Sequence, residues 1–240
     1  MTTWQKVLIP TLITLAIGGI YLFSVWRQRQ SPGVAVQRST TAGIDRDYLA
    51  DVRQLYPSTF KDTLQLAGKP VWMRNGYAIP YFPYSNGRVE FAHRVGVVPS
   101  VQRLDVKKVI KAVTARDVDD GMGHGDRQAF VVFTMPGGSG EYALPIGIML
   151  GRQEQYYTDV LFYYDDPHTI YNYWPKEVWA AIDAHQIKRG MNELQTQLAV
   201  GHMMRSHGGE EGNRTVTYDQ AGRSWTVTFE DDRATGIRQP

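Results

Sequence analysis

From residue 7 to residue 26 the chain reads VLIPTLITLAIGGIYLFSVW, twenty positions without a charge, and beyond it apolar residues come only in short interrupted clusters. At about 1.5 Å per residue such a run spans about 30 Å, the thickness of the hydrocarbon core of a bilayer, so it predicts one transmembrane helix. Trp4 and Lys6 on one side and Tyr21, Trp26, Arg27 and Arg29 on the other are the aromatic and cationic anchors expected at head groups. A cleaved signal peptide has an apolar stretch of about 7–15 residues followed by small residues; here the run is longer and arginines follow. The anchor is therefore expected to be retained.

Residues 31–42 (SPGVAVQRSTTA) show no apolar period and read as a tether. Ile44, Tyr48, Val52 and Leu55 then fall at helical spacing and predict a short helix ended by Pro57. Between residues 64 and 164 the pattern changes to strands. Asn75-Gly76 and Asn86-Gly87 mark hairpin turns, the first joining residues 71–73 to 77–79. Further strands are expected over 129–134, 141–150 and 156–164, the last before the turn Asp165-Asp166-Pro167. Several short strands with no long amphipathic helix between them predict a small antiparallel barrel or rolled sheet, of SH3-like type.

The last third alternates differently. Val178, Ile182 and His185 share a helix face after Pro175; Asn192 and Gln195 form a capping-box pattern, Leu194 and Leu198 stack, and Gly201 stands at a C-terminal cap. Trp225, Val227 and Phe229 alternate with Thr226 and Thr228, a one-sided strand within a three-stranded meander. The fold class expected is α+β: residues 1–30 as anchor, 31–62 as linker and short helix, 63–174 as a β-rich domain, and 175–240 as a unit of two helices and three strands.

Composition narrows the function. The net charge is +2 and Lys and Arg are interspersed with Asp and Glu, so no basic face for nucleic acid is visible. With no cysteine, the chain has no disulfide, thiolate ligand, cysteine nucleophile or lipidated N-terminal cysteine. Fourteen Tyr and six Trp supply rings that serve as core filling or as recognition surface.

The order of the C-terminal elements, the string 187–195 (IKRGMNELQ) leading to Leu198 and Gly201, the alternation Trp225-Thr226-Val227-Thr228-Phe229 and the acidic turn Asp231-Asp232 together resemble the SmpA/OmlA (BamE-like) module. The resemblance covers residues 181–240. It implies an extracytoplasmic protein-interaction module with no catalytic residues. The flanking charges, Lys6 before the run against Arg27, Arg29 and Arg38 after it, favour a cytoplasmic soluble region. We follow the resemblance and expect a single-pass membrane protein whose soluble region lies in the periplasm.

Two stretches could carry chemistry. Residues 117–126 (DVDDGMGHGD) hold four carboxylates and His124, but Gly121 stands where an EF-hand needs a ligand, and a polar glycine loop accounts for the composition. Asp165-Asp166-Pro167-His168, with Asp183 and His185, reads as turn chemistry. Gly137-Gly138-Ser139-Gly140-Glu141 misses a nucleophile elbow because Glu141 replaces the closing glycine. Neither cofactor nor metal is expected.

The chain thus reads as a non-enzymatic, membrane-anchored envelope protein acting as an interaction, assembly or accessory-subunit module; its partners are the bilayer and an envelope protein. The core of its C-terminal module is expected to be Met191, Leu194, Leu198, Trp225, Val227 and Phe229. A second reading is a membrane-tethered enzyme or binding protein for cell-wall sugars, using Trp72, Tyr77, Tyr81 and Tyr84. A third is a small subunit of a larger membrane complex, with Gly18-Gly19 as a close-packing surface.

Overall fold

A computed structural model describes residues 18, 46–74, 79–123, 125–220 and 223–239. The chain divides into two units, Met1–Leu49 and Ala50–Pro240. In the first, Gly18 and a 3-10 turn over Arg46–Leu49 are described. Apart from Gly18, the apolar run 7–26 lies outside the described residues, and no helix among those described is long and apolar enough to cross a membrane.

The second unit is mostly sheet, which corrects the α+β expectation. Nine strands form one antiparallel sheet: β1 (Pro70–Met73), β2 (Pro80–Ser85), β3 (Arg88–Val89), β4 (Gly96–Val97), β5 (Arg103–Ala112), β6 (Arg127–Thr134), β7 (Tyr142–Leu150), β8 (Gln153–Tyr156) and β9 (Phe162–Tyr163). Their order is β3-β2-β7-β6-β5-β1-β9, with β4 paired to β2 and β8 to β7. The path ends on two different strands, β3 and β9, so the small closed barrel is not formed. Ten-residue β5 is the reason: it inserts between β6 and β1, and β1 has β5 on one edge and β9 on the other. Asn75 to Ala78 lie outside the described residues.

Both faces of this sheet are covered. Ala129, Val131 and Phe133 point into a core shared with Leu104, Val109, Leu144 and Ile146, while Phe130 and Val132 point the other way toward Tyr84, Ala143 and Phe91. That explains the unbroken apolar run of β6, since a strand buried on both sides has no polar alternation to keep.

Residues 50–58 carry no regular structure, so the helix predicted through Leu55 is absent; it is replaced by the 3-10 turn and an extended strap. Leu55 and Phe60 of the strap pack against the first core. Helix α1 (Phe60–Thr63) starts at Thr59, whose hydroxyl accepts the Asp62 N–H while the Asp62 carboxylate accepts the Thr59 N–H.

The predicted strand 156–164 is broken: the chain leaves β8, forms helix α2 (Thr158–Leu161) and only then enters β9. Helix α3 (Pro167–Ile170), helix α4 (Lys176–Asp183) and helix α5 (Glu193–Val200) follow. The predicted meander has a fourth strand. β10 (His202–Ser206), β11 (Thr215–Gln220), β12 (Arg223–Glu230) and β13 (Arg233–Arg238) form an antiparallel sheet in chain order. Its core takes in Tyr163, Tyr171 and Trp174, with Trp72 packed beside them, so packing continues across residue 175 without a break.

Candidate functional site

The acidic glycine stretch between β5 and β6 is an internally bonded turn. Asp120, 1% exposed, accepts the Gln128 amide (2.5 Å) on Oδ2 and the Met122 N–H (3.0 Å) on Oδ1. Gln128 Nε2 also donates to the Gly123 carbonyl, and its Oε1 accepts the Thr114 N–H. Asp119 accepts the Gly121 N–H within the loop and Asp126 the Gly151 N–H, so Asp120 fastens the loop to β6 and Asp126 fastens it to the β7–β8 turn. Gly121 has φ +77° with an added Cβ 3.2 Å from Pro80, which is why glycine stands there. His124 lies outside the described residues; among those described no three His, Cys, Asp or Glu side chains are placed to hold a metal.

His168 is clamped. Its Nδ1 lies 2.9 Å from Asp166, the N-cap of α3, its Nε2 lies 3.1 Å from Asp183 at the end of α4, and its ring stacks on Trp179 at 4.0 Å. Both nitrogens face carboxylates, so neither is presented to a hydroxyl that it could activate. Predicted to share the α4 face, His185 instead sits just past the helix at φ +53° with Nδ1 3.2 Å from the Ala199 carbonyl. In the β2–β3 region Glu90 stands between Ser85, whose hydroxyl donates to it, and His93, 3.7 Å from its other oxygen.

The middle-sheet aromatics do not share a surface. Trp72 packs with the C-terminal core, the Arg103 guanidinium 5.9 Å from its ring centre. Tyr81 is half-buried against Phe133 and Tyr142 on one side of the large sheet, and burial raises its phenol. Tyr84 belongs to the core on the other side, with the Lys108 ammonium 4.6 Å from its ring centre. Tyr77 lies outside the described residues.

The C-terminal residues are brought together. Met191, Leu198, Val227 and Phe229 are buried in one core, and Leu194 and Trp225 pack against it. Asn192 and Gln195 cap α5 reciprocally, and Gly201 takes φ +86° after its last turn. Glu193 was not singled out by sequence, yet its buried carboxylate accepts the Arg214 guanidinium and the Gly212 N–H, while Asp232 accepts the Glu193 N–H. On the opposite face of this sheet the sequence reading reaches Thr226 and Thr228 but not Thr215 and Thr217. Register sets Thr215 opposite Thr228 and Thr217 opposite Thr226, with Thr215 and Thr228 hydroxyls 3.1 Å apart.

Among the described residues Tyr56 is the most exposed large hydrophobic side chain, at 77%. Its φ of +47° is unusual for a bulky residue and is further disfavoured before Pro57. The Asp159 carboxylate fixes it, accepting the Leu55 N–H on Oδ1 and the Tyr56 N–H on Oδ2, each at 2.8 Å. Asp159 also accepts the Tyr164 hydroxyl, whose ionisation is pushed up by burial and by that bond. The only sequence signal is an aromatic before proline; Asp159 is more than a hundred positions away.

Comparison with protein-family models, with curated proteins and with solved structures finds no match.

Proposed function

We propose that this chain is a membrane-tethered, non-enzymatic interaction module of the cell envelope, serving as an assembly factor or accessory subunit. In this reading the apolar run 7–26 is the tether and the soluble region lies on the extracytoplasmic side. The carrying observation is the open face of the four-stranded sheet. One face packs on α4 and α5 through Val216, Tyr218, Val227 and Phe229; the other presents Thr215, Thr217, Thr226 and Thr228 in register. Both faces of the nine-stranded sheet, by contrast, are occupied by core. β-branched side chains carrying hydroxyls on a stiff ladder offer a partner methyl contact and hydrogen bonds with little rotamer freedom to lose.

The SmpA/OmlA resemblance supports the same reading through the Gly190-Met191 opening of α5, its cap at Gly201 and the shared core of Met191, Trp225 and Phe229. The test is affinity capture of the full chain from detergent-solubilised membranes, with and without Thr217→Arg plus Thr226→Arg. A partner held by the native chain and lost by the variant, at unchanged melting temperature, is the expected result. A partner retained by the variant rejects the threonine face, and glycan binding with no protein partner would favour the sugar reading.

A further inference from the structure

The strap runs antiparallel beside the segment from β8 to β9 without joining it as a strand. Arg53 meets the Tyr164 carbonyl and the Asp165 carboxylate, the Leu55 and Tyr56 N–H groups meet Asp159, and the Phe60 N–H meets Glu154, so contacts advance along one chain as they recede along the other. Each of these bonds has a side chain at one end; among the described residues, 50–58 make no backbone-to-backbone hydrogen bond. Burial adds little. No residue of 50–58 is fully buried: Ala50 and Val52 rest half-buried on the C-terminal core and Leu55 on the first core. The Arg53–Asp165 pair is about half in solvent, where such a pair contributes little. Few buried contacts and no ladder put the strap at the low-stability end of the fold.

Tyr56 makes the seated strap one of two states and not a fraying end. Its left-handed backbone is disfavoured for a bulky residue before proline, and the Asp159 carboxylate holds it there through two N–H groups. Strain of this kind persists only where surrounding groups over-determine it. Once Asp159 lets go, the chain relaxes, and reseating has to restore the strained turn. The movement stops at Thr59, whose reciprocal cap with Asp62 fixes α1, with Leu66 buried behind it. We propose that residues 50–58 are a releasable latch: they leave the 154–165 segment as a unit, hinged where the Thr59–Asp62 cap begins, while both sheets stay folded, and they uncover the apolar seats of Val52 and Leu55. Residue 50 is where this unit begins, so a load on the preceding chain is borne by the latch before it reaches either sheet.

The test is hydrogen exchange at single-amide resolution on the full chain in detergent micelles. The Leu55 amide, bonded to Asp159, reports the latch, and the Val131 amide, in β6 between β5 and β7, reports unfolding of the whole unit. Leu55 should be protected about a hundredfold less than Val131 or weaker still, the mark of an opening that leaves the sheets intact. Asp159→Asn, with one acceptor left for two N–H groups, should speed Leu55 exchange about tenfold. Substitutions at position 56 give the sharper reading, because the Tyr56 ring is in solvent and its loss removes little packing. Tyr56→Asn, which tolerates a left-handed backbone, should slow Leu55 exchange several-fold, and Tyr56→Val, which does not, should speed it several-fold. Equal protection of Leu55 and Val131 would show that the strap leaves only with the whole unit and overturns the proposal. So does a response to Tyr56→Asn and Tyr56→Val that is absent or of one sign, since a frayed segment has no strained state to favour. The outcome does not depend on whether the threonine face holds a partner.

Discussion

Glu193 and Arg214 form a buried pair: the carboxylate, 1% exposed, accepts both Nε and Nη2 of a guanidinium that is itself 16% exposed. The bond joins the first turn of α5 to the segment before β11, and it holds the Arg214 proton more firmly than usual. Removing one partner strands the other. Arg214→Met is expected to cost about 3–5 kcal/mol, read from urea denaturation, and Glu193→Gln to cost less because its amide oxygen still accepts. Equal, small losses would show that the pair is solvated.

Asp120→Asn is nearly isosteric but should destabilise. Asp120 accepts on both oxygens, from Met122 N–H and from Gln128 Nε2, and Gln128 cannot turn over because its Oε1 accepts the Thr114 N–H. One new N–H₂ must then face a donor, a loss of about 1–3 kcal/mol. An unchanged unfolding midpoint would mean that the network is not closed.

Three substitutions on β12 test its register. Phe229→Ala removes a fully buried ring and should cost about 3–5 kcal/mol. Trp225→Ala should cost less, since that ring is only half-buried and its Nε1 finds no acceptor among the described residues. Thr226→Ala, on the opposite face, should stay within about 0.5 kcal/mol. A loss for Thr226→Ala as large as that for Phe229→Ala would place the strand one residue out of step.

Alkaline titration reports the buried phenols. Burial is the main force raising Tyr164, Tyr171 and Tyr218 above their ordinary value of 10.0. Above that pH the unfolded chain gives up protons that the folded chain retains, so stability is complete below about pH 10 and declines as pH rises further. The urea midpoint should be flat on the neutral side and fall beyond it, with the phenolate absorbance of these rings appearing only on unfolding. Their ionisation in a chain with native circular dichroism would contradict the burial.

Local signals with a local cause could be read from sequence: the Asn192–Gln195 cap, the strands around Val131 and Leu144, and the alternation of Trp225, Val227 and Phe229. β5 could not, and it decides the large sheet. A bulge between Val106 and Lys108 sets the buried Val106 and Val109 three positions apart, which breaks the two-residue period and imitates a helix. The same blindness covers the site. Nothing near Tyr56 announces Asp159, and nothing near Glu193 announces Arg214, because each pair is made by sheet topology.

The joint at Gly190 and Met191 bears on how copies of this chain coexist. An outer strand offers bare N–H and C=O groups to any similar strand of another copy. Here the Ala234 N–H donates to the Met191 carbonyl and the Ala234 carbonyl accepts the Gly190 N–H, so the outer edge of β13 is occupied where the strand begins. At the other edge β10 is interrupted by a bulge between Met203 and Arg205. Each outer strand is therefore interrupted at one point as a template for another copy, and at φ +85° a side chain at position 190 would strain the joint that occupies Ala234.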